Sequence, residues 1–115
     1  MSFDEMMKNL KKEYVRDLPG KIASLRQFCD ASNLTQLREE FHKLKGTGKT
    51  YGIPEVSELC ATLEQICLQQ SIHAITDSQA ALEILASIHQ ARSEDKAFAV
   101  AQDPRFIEIQ KHLAS

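Results

Sequence analysis

Long apolar runs, glycine, proline, cysteine pairs and an excess of either charge are all missing or scarce in this chain. The longest apolar runs are a few residues, far below the roughly 20 that a transmembrane helix needs, so no membrane span is expected. Four glycines and three prolines in 115 residues, with no β-branched runs, favour an all-α chain. The formal net charge is −2, so no global basic field draws the chain to nucleic acid or an anionic membrane. The three cysteines, Cys29, Cys60 and Cys67, form neither an even set nor a CxxC pair. They read as small buried hydrophobes in a reducing compartment. The start, Met1-Ser2-Phe3-Asp4-Glu5, is polar and acidic, unlike a secretory signal, and a cytoplasmic location is expected.

What is present is a helical period almost everywhere. Phe3, Met6, Met7, Leu10, Tyr14, Val15 and Leu18 recur at steps of three and four. Pro19-Gly20 then predicts a kink, or a boundary with a second helix starting near Asp17, and Ile22, Leu25 and Phe28 resume the stripe. Asn33 is a good N-cap, with Gln36 at the reciprocal position. The next helix carries Leu34, Leu37, Phe41 and Leu44 and should end near Tyr51, with Gly52 just past it. Pro54 opens a helix with the stripe Val56, Leu59, Cys60, Leu63, Ile66 and Cys67. A loop around residues 71–76 leads to a further helix, capped by Thr76 or Asp77, with Leu82, Leu85 and Ile88 inside. Residues 92–96 either continue or break it. Asp103-Pro104 starts a terminal helix with Phe106, Ile107, Gln110 and Leu113. The expected fold is all-α: an antiparallel four-helix bundle with additional N- and C-terminal helical segments. One domain over residues 1–115 is expected, with its core over about 3–92 and an extension over about 93–115. That extension either packs on the bundle or makes a partner contact.

The most informative stretch runs from Phe41 to Lys49. At about 100° per residue, Arg38, Lys45 and Lys49 lie about 40°, 60° and 20° from His42, whereas Leu37, Phe41 and Leu44 lie about 100–160° away. His42 is therefore on a surface row flanked by cations. Gly46 removes any side chain one turn after it, and Gly46 and Gly48 together weaken the helix by about 1 kcal/mol each relative to alanine. Stability gives no reason for them; close approach of another surface to His42 does. A neutral imidazole is a good nucleophile near neutral pH. Cations around it favour the neutral form and would stabilise a transferring phosphoryl group. A lone surface histidine among lysines is usually only solvated, so this pattern alone leaves the functional and the bland reading about level.

The run His42-Lys43-Leu44-Lys45-Gly46, then Gly52, then Leu59-Cys60-Ala61-Thr62-Leu63-Glu64 resembles the signature of histidine phosphotransfer (Hpt) domains. That pattern is H-x-L-K-G, a glycine ten residues after the histidine, then L-C/A-x-x-L-E. The likeness extends in helical pattern over roughly residues 3–92. The resemblance implies that His42 accepts phosphate through its Nε2 atom, that Lys45 assists electrostatically and that Gly46 gives clearance to a receiver domain. Arg38, Lys43 and Lys49 are expected to form a binding rim. The implied partners are response-regulator receiver domains, a hybrid sensor histidine kinase, or both. The implied activity is that of a stoichiometric phosphoryl carrier rather than an enzyme. No cofactor or metal is expected on this chain, with Mg²⁺ on the partner receiver, and the implied state is monomeric. Lys49 and Tyr51 stand where many members have small or polar residues. Apolar residues near His42, including some of Phe3, Met6 and Met7, are further candidates for docking.

Competing readings are weaker. Gly46-Thr47-Gly48-Lys49-Thr50 looks like a P-loop, but the required earlier glycine is Lys43 and no strand precedes it. Cys60 and Cys67 share the apolar stripe, so a metal site with His73 is disfavoured. His73, His89 and His112 read as ordinary surface or boundary residues, and Lys8, Lys11 and Lys12 as a solvated face. The main alternative function is a non-catalytic adaptor that binds receiver or kinase domains without carrying phosphate. A phosphate-accepting domain serving a chemotaxis-type kinase directly is a second.

Overall fold

A computed structural model describes residues 2–114. The helical stripes translate into α1 (Phe3–Asp30), α2 (Leu34–Thr50), α3 (Pro54–Leu68), α4 (Ala74–Ser93), a single 3-10 turn (Val100–Gln102) and α5 (Pro104–Gln110). No strand occurs among the described residues. The all-α class expected from the periodicity is the observed one, and α1 to α4 form an antiparallel bundle. The cross-links fix the directions: Tyr14 meets Thr47, Lys45 meets Ser57, Glu55 meets Arg92, and Cys67 meets Ser78.

The first segment is not a separate piece. α1 is one helix of 28 residues with Pro19 inside it, which rules out the boundary alternative. An interior proline removes an intrahelical bond and costs about 3 kcal/mol or more. The stripe nevertheless runs through in phase, with Val15, Leu18, Leu25 and Cys29 buried and Ile22 packed against the same core. Burial along both halves keeps the helix continuous, because tertiary packing outweighs local propensity. At about 1.5 Å per residue α1 is about 42 Å long, close to the 48 Å longest dimension of the molecule.

The local signals acted where their chemistry is local. The Asn33 side chain accepts from the Gln36 N–H at 3.1 Å. Gly52, just beyond α2, has φ +80°, a left-handed conformation that glycine adopts without a Cβ clash. Asp103 caps α5 by accepting from the Arg105 N–H at 2.8 Å. α4, however, begins at Ala74, ahead of the expected Thr76 or Asp77 caps. The Ser71 hydroxyl accepts from the His73 N–H, starting the helix early. Asp77 points inward instead and meets His112 Nδ1 at 2.8 and 2.9 Å. α4 ends at Ser93, so residues 94–96 break it, with Asp95 at φ 59°. In α5 the buried partner of Phe106 is Ile109, while Ile107 is exposed. Ile109 lies about 60° from Phe106 around the helix and Ile107 about 100°.

The segment after α4 packs on the bundle, burying Val100, Phe106 and Ile109. The Glu55 carboxylate accepts from the Phe98 N–H at 2.9 Å and from the Arg92 guanidinium at 2.7 and 2.9 Å. Arg105 donates to Ser87 at 3.1 Å. His112 is more than a boundary residue: besides meeting Asp77, its ring stacks on His73 with centroids 3.8 Å apart. All three cysteines are free and buried. Burial pushes the Cys67 thiol up to about 11 and drives Cys60 higher still. No helix among the described residues is long and apolar enough to cross a membrane.

Candidate functional site

α2 and α3 are joined by a tight turn at Gly52 and pack closely along their length. Residues equidistant from that turn stand side by side. His42 on α2 therefore meets Glu64 on α3, with Nδ1 2.9 Å from the Glu64 Oε1. The imidazole is exposed, at 65% of its side-chain surface, while Glu64 retains only 12%. Lys45 Nζ lies 2.6 Å from the other Glu64 oxygen.

The electrostatics follow from this triad. Burial works to raise the Glu64 carboxyl, but the Lys45 ammonium and the His42 ring outweigh it and hold the group below its usual range. Glu64 is thus ionised near neutral pH and can only accept. In the neutral ring this contact favours the tautomer with the proton on Nδ1, donated to Glu64, which leaves the lone pair on Nε2. No described residue is bonded to Nε2. The surroundings differ from the all-cation environment expected from the sequence, because the closest charge to the ring is the Glu64 carboxylate.

The other candidate residues divide. Lys43 reaches back to Glu40 at 3.3 Å and is exposed. Arg38 is half-buried one turn before His42. Lys49 is exposed but two turns beyond His42, about 10 Å along α2, where it borders a hollow with Lys11, Tyr51 and Met7. Gly46 is open: a Cβ built there meets nothing within 4 Å. Gly48 is different, and the expectation that it clears space for a partner is corrected. Its Cβ would lie 2.8 Å from Ser57 Oγ and 3.0 Å from both Ile53 O and Ser57 N, so this glycine lets α3 approach α2. Phe3 and Met6 are exposed, but with Met7 they lie towards the N-terminal end of α1. From the Tyr14–Thr47 contact, that is about 18–24 Å along the bundle axis from His42.

Glu64 falls within the L-C/A-x-x-L-E run, but α3 read alone assigns it no role. The available signal was its position: Glu64 and His42 are equidistant from Ile53, and an antiparallel hairpin places such residues level.

The chain matches the family model of the Hpt domain over residues 9–94. No curated protein and no solved structure gives a match.

Proposed function

This chain belongs to the Hpt domain family, whose members act as histidine phosphocarriers in two-component signalling, and on that premise we propose that His42 is the residue carrying the phosphoryl group. The observation supporting this choice is the His42–Glu64 pair at 2.9 Å, which leaves Nε2 of an exposed ring without a partner among the described residues. His73 and His112 stack on each other instead.

In this reading the donor is a receiver-domain phosphoaspartate. The Nε2 lone pair forms the N–P bond as the P–O bond to aspartate breaks, and the bonding electrons leave with the carboxylate. The ring keeps its Nδ1 proton and becomes a phosphoimidazolium. Glu64 balances that positive charge through a charge-assisted hydrogen bond. Transfer to a second receiver is the reverse. Lys45 has three N–H donors, so contact with Glu64 leaves others for the phosphoryl oxygens, where a positioned cation stabilises developing charge. Gly46 leaves the surface beside the ring open for the receiver. The Mg²⁺ ion and the acidic cluster that binds it belong, in this reading, to the receiver. Arg38, Lys43 and Lys49 make a looser anion-attracting rim.

The test is phosphotransfer from a panel of phosphorylated receiver domains to wild type and to His42→Gln. Acid-labile label on wild type and none on a folded His42→Gln is the expected result. Receiver binding without label on wild type would instead indicate an adaptor.

A further inference from the structure

The α1–α4 seam shares no helix with the α2–α3 seam that holds His42. It carries a groove of about 520 Å³. One wall is a row of cations on α1: Lys8, Lys12 and Arg16, with Lys11 beside them. The other wall is the end of α4, including His89 and Arg92. Lys8, Lys11 and Lys12 have no carboxylate partner among the described residues. Among the described residues Arg16 meets only the exposed Glu13, at 4.0 Å. The Arg92 guanidinium is already committed to Glu55, so the unpaired charge comes from α1. Asp95 is the acidic residue lining the groove. For a chain of net charge −2, this is a local concentration of positive charge that the proposed phosphotransfer does not use.

We propose that this groove binds an extended acidic peptide segment of a partner protein, independently of receiver docking at His42. The spacing favours that ligand. Lys8, Lys12 and Arg16 recur every four residues, rising about 6 Å per step with about 40° of rotation. Alternate residues of an extended chain are about 6.6 Å apart and point to one side. Acidic side chains at alternate positions therefore meet successive cations, while the largely buried Val15 lies at the base of the groove. A nucleotide is disfavoured, because the lining has no phenyl, phenol or indole ring to sandwich a base and no glycine-rich loop to cradle phosphates. An anionic membrane is disfavoured because the cations line a concave surface.

The experiment measures fluorescence anisotropy of a labelled peptide with three glutamates at alternate positions, titrated with the full chain at low salt. Binding is expected to weaken by about ten-fold or more in the triple variant Lys8→Gln, Lys12→Gln, Arg16→Gln. It should weaken several-fold when the glutamates are made contiguous, and disappear when they are replaced by glutamine. The triple variant should keep wild-type helicity and wild-type phosphate acceptance at His42. The proposal fails if wild type does not bind, if the triple variant binds as well as wild type, if contiguous and alternating peptides bind equally, or if tripolyphosphate binds more tightly than the alternating peptide. Loss of His42 acceptance in the triple variant would also overturn it, since the groove would then belong to the receiver site.

Discussion

Two glycines two residues apart in α2 are predicted to respond to alanine with opposite signs. Replacing an interior helical glycine by alanine gains about 1 kcal/mol from backbone entropy. At Gly46 nothing opposes that gain, because the new methyl meets no atom within 4 Å. Gly46→Ala should therefore stabilise the free protein by about 1 kcal/mol. At Gly48 the methyl would stand 2.8 Å from Ser57 Oγ and 3.0 Å from two backbone atoms of the α3 start. Ser57 cannot simply rotate away, since its hydroxyl donates to the Lys45 carbonyl at 2.6 Å. Overpacking of this kind costs about 1–3 kcal/mol, to which loss of a hydrogen bond adds about 1 kcal/mol. Against the propensity gain, Gly48→Ala should destabilise by about 1–3 kcal/mol. With about 2.1 cal/mol/K of unfolding entropy per residue, each kcal/mol moves the Tm of a chain this size by about 4 °C. Gly46→Ala should melt about 4 °C above wild type and Gly48→Ala about 4–12 °C below it. Adding Ser57→Ala to Gly48→Ala should recover part of the loss. A Gly48→Ala protein as stable as wild type would refute the packing role assigned to this glycine. In receiver assays Gly46→Ala should slow transfer despite its stability, and unchanged transfer would remove the clearance role.

Further outcomes follow from the charged groups. Arg92→Met leaves the Glu55 carboxylate buried with backbone N–H donors but no cation and should cost about 3–5 kcal/mol in urea unfolding. The double variant Glu55→Leu, Arg92→Met should recover much of that, and a double as unstable as the single would contradict it. Glu55, Glu64 and Asp103 all have folded-state carboxyls held below their usual range. For Glu55 and Glu64 burial works to raise the group, and the Arg92 contact in the first, the Lys45 and His42 contacts in the second, prevail. For Asp103 the hydrogen bond from Arg105 leads. The stability these groups contribute is present above their unfolded values and lost as pH falls through the lower folded ones. The Tm should therefore decline below about pH 4.5, and Glu64→Gln should flatten part of the decline. Glu64→Gln keeps a hydrogen-bond acceptor for Nδ1 but removes the negative charge. Phosphate acceptance should slow by about ten-fold, equivalent to about 1.4 kcal/mol. Lys45→Ala should also slow transfer while leaving label detectable; wild-type rates in either variant would take that residue out of the mechanism.

The bundle was legible because its helices bury stripes whose period can be counted, and because Asn33, Gly52, Pro54 and Asp103 act within three residues of themselves. Features that depend on what lies across a helix interface were not. Asp77 has the chemistry of an N-cap, and only the placement of His112 shows that it faces inward. Gly48 and Gly46 look alike in sequence, and the arrival of Ser57 separates them. Pro19 signals interruption, yet the apolar stripe on both sides of it overrides the signal. At the site, α2 alone suggested a histidine among cations. The residue touching the ring is an acid on the next helix, which also engages Lys45.

The most direct measurement is phosphorus–nitrogen correlated NMR on ¹⁵N-labelled protein phosphorylated by a receiver. A single phosphohistidine is expected, on Nε2 of His42, with the Nδ1 proton retained and bonded to Glu64. Phosphate on His42 Nδ1, or on His73, His89 or His112, would contradict it.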